Sequence, residues 1–176
     1  MRTREMLAAA AVLAMAGCAP VAQAVGGHTV TLRNAQGVTI GTATLLPATE
    51  GVQVVLQATG LPAGVHGVHV HAVGRCDAPD FTTAGPHFNP AGKQHGFENP
   101  AGHHAGDLPN LTVGADGRGT LNGTAHGLTL TGTGASSLRK ADGTALVVHA
   151  GADDYRTDPS GNSGARIACA VISPAP

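Results

Sequence analysis

Aromatic side chains are almost missing from this chain. It has no tryptophan, one tyrosine and three phenylalanines, 2% of 176 residues. An aromatic-rich core is excluded, so the 42% of hydrophobic residues must build the interior from Val, Leu, Ile and Ala. Charge is sparse as well: 12% of residues are charged, and ten basic side chains nearly balance eleven acidic ones. With no basic field and no block of like charge, the composition argues against a nucleic-acid partner and a charged interaction tail. Helical periodicity is also missing. No segment sustains apolar residues at the 3.6-residue spacing of an amphipathic helix.

Turn formers are abundant instead. There are 26 glycines and 11 prolines without a G-X-Y period, which points to many turns and short elements. Strand signals begin at His28. His28 to Arg33 alternates, Asn34-Ala-Gln-Gly37 is a turn, and Val38 to Leu46 and Val52 to Ala58 follow. Val65 to Val73 places Val and His at alternating positions, and Thr144 to His149 and Arg166 to Ile172 read as the last two strands. Ala115-Asp-Gly117 and Ala141-Asp-Gly143 are turns flanked by β-type residues. The fold class is all-β, with about eight short strands in an antiparallel sandwich or barrel. Two polar stretches interrupt the pattern, Ala72 to Asn110 and Gly151 to Gly164. Long loops of this kind are functional or disordered, and the histidines of the first favour function.

The N-terminus reads as an export signal over residues 1–17. Arg2 and Arg4 precede an apolar stretch, Met6 to Ala16, too short to span a bilayer comfortably. Met15-Ala-Gly-Cys18 resembles a lipobox, which makes Cys18 a lipidation site and a possible membrane anchor; Ala22-Gln-Ala24 is an alternative cleavage site. Residues 18–27 then form a flexible tether, and residues 28–176 a single domain in the periplasm or cell envelope. Cys76 and Cys169 remain, and in an oxidising compartment a disulfide between them persists; two separate buried thiols are the alternative.

Six of the ten histidines fall into one arrangement with Asp107: His69, His71, His87, His95, His104 and His149. His69 and His71 are two apart, so on a strand both imidazoles face the same side. His149 ends another Val-rich strand. Imidazole suits copper, zinc, iron and nickel alike, and an isolated H-x-H is equally compatible with two strand histidines that bind nothing. In the long loop, His87, His95, His104 and Asp107 offer three imidazoles and a carboxylate, a tetrahedral zinc set; a solvated histidine-rich loop is the alternative.

At this point the sequence resembles a known family, the copper/zinc superoxide dismutases, most closely the bacterial exported type. The matching segments, in family order, are GVHGVHVHAVG (64–74), TAGPHFNP (83–90), KQHG (93–96), HAGDLPN (104–110), LVVHAGADD (146–154) and GNSGARIACAVI (161–172). Cys76-Asp77 to Phe81 also matches the bacterial subgroup. Before residue 60 only the strand pattern is compatible. The resemblance implies an eight-stranded antiparallel Greek-key β-barrel or sandwich with two long functional loops. It implies copper ligands His69, His71, His87 and His149, zinc ligands His87, His95, His104 and Asp107, and His87 as the shared imidazolate. Asp153 matches a carboxylate linking ligands of the two sites, Arg166 the arginine beside the copper channel, and Cys76 with Cys169 the family disulfide. His104 is preferred to His103 by its H-x-x-D spacing to Asp107. His66 falls on a structural position, and His28 and His126 read as ordinary surface or strand residues.

The implied reaction takes two superoxide anions, one leaving as oxygen and the other, after protonation, as peroxide, with His87 and Arg166 as the active side chains. The segment from Gly151 to Gly164 is shorter than the guidance loop of animal enzymes, leaving Lys93 and Arg156 as candidate steering residues. The rival readings are an exported, non-catalytic copper- and zinc-buffering protein, which would be expected to lack a copper ligand or the channel arginine, and a zinc-only hydrolase, which needs an open zinc position. Monomer and homodimer are both compatible with the sequence.

Overall fold

The structure is a computed structural model that describes residues 26–175. The expected leader, Cys18 and most of the tether lie outside the described residues. Among the described residues, nine strands form one antiparallel sheet: β1 (His28–Asn34), β2 (Thr39–Ala48), β3 (Gly51–Ala58), β4 (Gly64–His66), β5 (Val68–His71), β6 (Leu111–Val113), β7 (Gly119–His126), β8 (Thr144–His149) and β9 (Arg166–Ser173). Their order is β4-β6-β7-β3-β2-β1-β9-β8-β5. The strands at the two ends of that order, β4 and β5, are consecutive in the chain, so the sheet rolls into a nearly closed barrel. Crossovers between non-adjacent strands give it Greek-key connectivity.

Two-residue alternation decides which faces are buried. In β3, Val52, Val54, Leu56 and Ala58 point inward while Gln53 and Gln57 do not. The interior is largely aliphatic, as the shortage of rings demanded, with Phe88 the one ring in the main cluster. β5 and β8 depart from the alternation because both of their faces are covered. Val68, Val70, Leu146 and Val148 enter the main core. On the opposite face of β8, Ala145 and Val147 pack with Phe81, Ala84 and Cys169 under the long loop.

The structure changes two of the sequence expectations. The run expected as one strand from Val65 to Val73 is two, divided at Gly67, which is why nine strands replace about eight. β4 pairs with β6 and β5 with β8, so the chain changes partners at Gly67. A side chain there would meet Ser163 Cβ at 2.9 Å and His69 Cε1 at 3.2 Å, a close approach that glycine permits. The turn at Ala141–Gly143 leads into β8 but follows no strand. The segment before it is a loop whose Leu128, Leu130 and Leu138 are drawn into the core.

Two long connections, residues 72–110 and 150–165, lie where the composition placed them; the first contains only a short 3-10 turn, Thr82–Ala84. It is laid against β5 by backbone bonds from Val70 to Gly106 (2.8 Å), Phe88 to Val70 (2.8 Å) and Ala72 to Pro86 (2.9 Å). Its start is tied to β9 by a Cys76–Cys169 disulfide that spans 93 positions. Closing a loop of that length stabilises the fold by about 4–5 kcal/mol in the chain-entropy account. Replacing both cysteines by serine is therefore expected to lower the unfolding free energy by about that amount. Denaturant titration of both proteins in the same metal state checks it, and an unchanged midpoint contradicts it.

Candidate metal centre

All seven expected ligands are buried, and they meet on the outer face of β5 beneath the two long loops. β5 presents His69 and His71, the end of β8 presents His149, and the long loop brings His87, His95, His104 and Asp107. Isolated bridges pair His71 with His87 and His69 with Asp107, so loop and strand are held in register.

The first cluster is His69, His71, His87 and His149, with ligand atoms all within 4.8 Å of one another. Their ring tautomers follow from what each faces. His71 Nδ1 is 2.8 Å from the Gly85 carbonyl and His149 Nδ1 is 3.1 Å from that of Gly164. A carbonyl oxygen only accepts, so both Nδ1 atoms carry the proton and both Nε2 atoms keep a lone pair. His69 is reversed: its Nε2–H donates to Asp153 at 2.8 Å, which frees Nδ1. The buried side-chain nitrogens left without a hydrogen-bond partner, among the described residues, are His69 Nδ1, His71 Nε2, His87 Nε2 and His149 Nε2. They are one donor atom from each member of the cluster.

The second cluster centres on Asp107. Its Oδ1 lies 3.2 Å from His87 Nδ1, 3.0 Å from His95 Nδ1 and 3.4 Å from His104 Nδ1. His104 Nδ1 is also 3.4 Å from His87 Nδ1. An ion with tetrahedral bonds of about 2.0–2.1 Å has ligand-to-ligand edges of roughly 3.3 Å, so the spacing fits zinc. Asp107 Oδ2 is occupied by the amides of Gly96 (3.0 Å) and His104 (3.1 Å), which fixes the carboxylate. His69 also comes within 4.8 Å of His87, His95 and Asp107. Its Nε2 is taken by Asp153, however, and its Nδ1 belongs to the first cluster, so His104 is the fourth donor free to act there. His103 turns away: its Nδ1 donates to the His104 carbonyl at 2.7 Å and its ring packs on Phe97.

Asp153 joins the clusters, accepting from His69 Nε2 through one oxygen and from His95 Nε2, at 2.9 Å, through the other. Asn110 clasps the Asp153 backbone, its Oδ1 accepting from the Asp153 amide and its Nδ2 donating to the Asp153 carbonyl, both at 2.9 Å. The Tyr155 amide donates to Asp153 Oδ1 at 2.7 Å, and Tyr155 Oη accepts from the Asn110 amide at 2.7 Å. Gly161, at φ 62°, leaves room for this carboxylate, which a Cβ there would strike. Asp158 accepts from the His95 amide at 2.6 Å. Sequence reading missed the supporting roles of Asn110, Tyr155 and Asp158. Asn110 lies inside the quoted HAGDLPN segment and Asp158 among the loop charges, but neither spacing shows what it holds.

Arg166 reaches back from β9 to the long loop. Its Nη1 donates to the Phe81 carbonyl and its Nη2 to that of Gly85, both at 2.7 Å. The Gly85 oxygen also accepts from His71, so one carbonyl links Arg166 to the first cluster. Arg166 lines a surface depression with Pro79, Asp80, Thr82, Gly164 and Ala165. Of the two candidate steering residues, Arg156 is paired with Glu98, while Lys93 lines a groove beside His87 and His104. His66 is buried, with its ring nitrogens 2.8 and 2.9 Å from the carbonyls of His149 and Pro62, a structural position as expected.

Burial sets the electrostatics. It pushes His69 down to about 3 and His149 to about 4, and lowers His71 and His87, so the first cluster is neutral and able to ligate. His95 is opposite: burial disfavours its charge, but hydrogen bonds to Asp107 and Asp153 outweigh burial and raise it to about 9. Both carboxylates resist burial because imidazole donors hold them well below the usual range.

A nearly closed β-barrel carrying two adjoining clusters of metal-type ligands defines the class, a β-barrel protein with a candidate paired-metal centre. Residues 39–172 match the family model described as copper/zinc superoxide dismutase (SODC), so the likeness starts well before the motifs after residue 60. The chain is 45% identical to superoxide dismutase (Cu-Zn) 1 of Aquifex aeolicus over 79% of its own length and 83% of that protein's. It is also 45% identical to the superoxide dismutase-like protein YojM of Bacillus subtilis, over 83% of its length and 76% of that protein's. A crystal structure of a double mutant of a SOD-like protein from Bacillus subtilis superposes with a TM-score of 0.80 at 46% identity, covering 84% of this chain and 97% of the other. The chain belongs to the copper/zinc superoxide dismutase family.

The pKa shifts make the metal-free protein acid-sensitive. As pH falls from about 6.5 towards 4, the unfolded chain takes up protons at His69, His71, His87 and His149 that the folded chain refuses, so stability falls with pH. His95 has the opposite sign: its contribution is complete below 6.5 and is lost as pH rises through about 9. Calorimetry of chelator-treated protein is expected to give a lower melting temperature at about pH 4.5 than at about pH 6.5. An equal or higher value at the acid end contradicts the assignment.

Proposed function

We propose that this protein dismutates superoxide: two superoxide anions and two protons become one oxygen and one hydrogen peroxide. In this reading His69, His71, His87 and His149 hold copper, and His87, His95, His104 and Asp107 hold zinc. The observation that carries it is the set of four unpartnered imidazole nitrogens. A buried polar atom without a partner costs about 1–3 kcal/mol, so four facing one point are expected only where a ligand uses their lone pairs. Family membership supports copper and zinc as the ions. When bound, copper supplies a one-electron couple that superoxide alternately reduces and reoxidises, and zinc supplies fixed charge without a redox change.

The side chains provide the rest. His87 directs Nε2 to the first cluster and Nδ1 to the second, so its ring would serve both ions. With an ion in the first cluster, its Nε2 would hold a proton whenever it is released from the ion and would give that proton to the peroxide product. Asp153 keeps the His69 and His95 rings oriented, the supporting role that paired metal sites require. Arg166 carries a permanent charge in a fork of donors, held towards the first cluster by the Phe81 and Gly85 carbonyls. That charge draws superoxide in and orients it. Export and lipid anchoring at Cys18 belong to the same proposal, and the disulfide suits an oxidising compartment.

The buffering alternative predicts metal binding without turnover, and the zinc-only hydrolase predicts activity without copper. Elemental analysis alongside a superoxide assay separates them: one copper and one zinc per chain with turnover is the expected result. His71→Ala is expected to abolish activity while zinc stays bound, and full activity in copper-free, zinc-loaded protein would refute the mechanism. Arg166→Ala is expected to slow the reaction about tenfold at low ionic strength and to flatten its salt dependence. A rate equal to that of the parent at low salt removes Arg166 from the steering role.

A further inference from the structure

The depression that holds Arg166 also holds a carboxylate. Pro79, Asp80 and Thr82 line it from the long loop, and Gly164, Ala165 and Arg166 from the chain that enters β9. Asp80 is exposed, so its charge faces whatever enters from solvent. A negative charge beside the cation that draws in an anion works against that cation, and its position there calls for a physical reason.

Asp80 is held by its neighbours. Its Oδ1 accepts from the Thr82 amide at 3.0 Å and from the Thr82 hydroxyl at 2.9 Å. Those bonds hold its carboxyl below the usual carboxylate range, so it is ionised near neutral pH. Phe81, between the two, is buried in the smaller core cluster, and its carbonyl accepts from Arg166 Nη1 at 2.7 Å. Three consecutive residues therefore place the carboxylate and the guanidinium relative to one another. Burial lowers the Arg166 pKa, and the charge of Asp80 acts against that lowering. The two charges sense each other without pairing. The arginine ion pairs among the described residues are Arg118 with Asp116 and Arg156 with Glu98. Arg166 instead spends its two terminal nitrogens on the Phe81 and Gly85 carbonyls.

We propose that Asp80 sets the charge selectivity of this depression, holding back divalent oxyanions so that a monoanion such as superoxide can compete for Arg166. The proposal rests on superoxide being the substrate. Electrostatic energy scales with the product of the charges, so Arg166 by itself favours a dianion over a monoanion. Asp80 opposes the dianion twice as strongly by the same law and offsets that preference. For charges roughly 6–8 Å apart in water, the opposition amounts to about two- to threefold for a monoanion and about four- to ninefold for a dianion. Slower capture of superoxide accompanies the better discrimination.

The test compares Asp80→Asn with the parent, each loaded with copper and zinc. Asparagine keeps the Oδ1 acceptor for Thr82 and removes only the charge. Superoxide turnover at low ionic strength is expected to rise about two- to threefold. At matched ionic strength, the sulfate concentration that halves turnover is expected to fall about four- to ninefold. Asp77→Asn removes an exposed carboxylate from the same loop outside the depression and is expected to change neither. An unchanged sulfate midpoint in Asp80→Asn overturns the proposal, as does an equal change in Asp77→Asn. Sulfate binding followed through the Arg166 guanidinium resonances gives the same comparison without turnover. A loaded parent that binds sulfate there but does not consume superoxide refutes the dismutase reading, whereas turnover with equal sulfate affinity in parent and Asp80→Asn refutes the role of Asp80 alone.

Discussion

Asp153 accepts one hydrogen bond from a strand histidine and one from a loop histidine, and the geometry of both clusters depends on that carboxylate. His69 is built into β5 and has little freedom, whereas His95 belongs to a connection without regular structure. By taking the Nε2 proton of each, Asp153 leaves both Nδ1 atoms directed at the clusters and fixes the loop relative to the barrel. Asn110 and Tyr155 hold the carboxylate in turn, the former by imitating a strand partner for its backbone.

The same device recurs across the centre. Each imidazole of the first cluster has one nitrogen facing a carbonyl or carboxylate and the other left free. Burial keeps these imidazoles neutral, and the hydrogen bonds fix their tautomers, so each lone pair is aimed without any adjustment on binding. The second cluster is electrostatically different. Two buried carboxylates surround His95 and hold it protonated, a positive charge standing where a cation is expected to bind. The two halves are thus prepared differently, one as a set of neutral donors and the other as a charged nest.

Regions distant in sequence are coupled to this centre by single contacts. The disulfide joins the start of the long loop to β9, three residues beyond Arg166. Arg166 returns to the same loop through Phe81 and Gly85, and Gly85 also orients His71. The arginine, the loop and a ligand therefore share one carbonyl.

Much of this was legible in the chain. Alternation in β1 and β3 exposed the core faces, because strand periodicity depends only on neighbours in sequence. The H-x-H pair showed that His69 and His71 share a face for the same reason, and the two long loops were visible as polar, glycine-rich stretches. The ordered motifs assigned His104 over His103. Other features were hidden. The division at Gly67 depends on which strands the two halves pair with, and alternation is silent on partners. The inward turn of Leu128, Leu130 and Leu138 was masked by a segment that reads as β-type.

The amino-acid sequence by itself thus determined the all-β class, the largely aliphatic core and the inventory of candidate ligands, since these rest on residue type and local spacing. The tertiary structure decided which nitrogen of each histidine is free and how Asp153 joins the clusters. Those outcomes depend on acceptors brought within about 3 Å by strand pairing and loop closure between distant residues, and no local pattern specifies them.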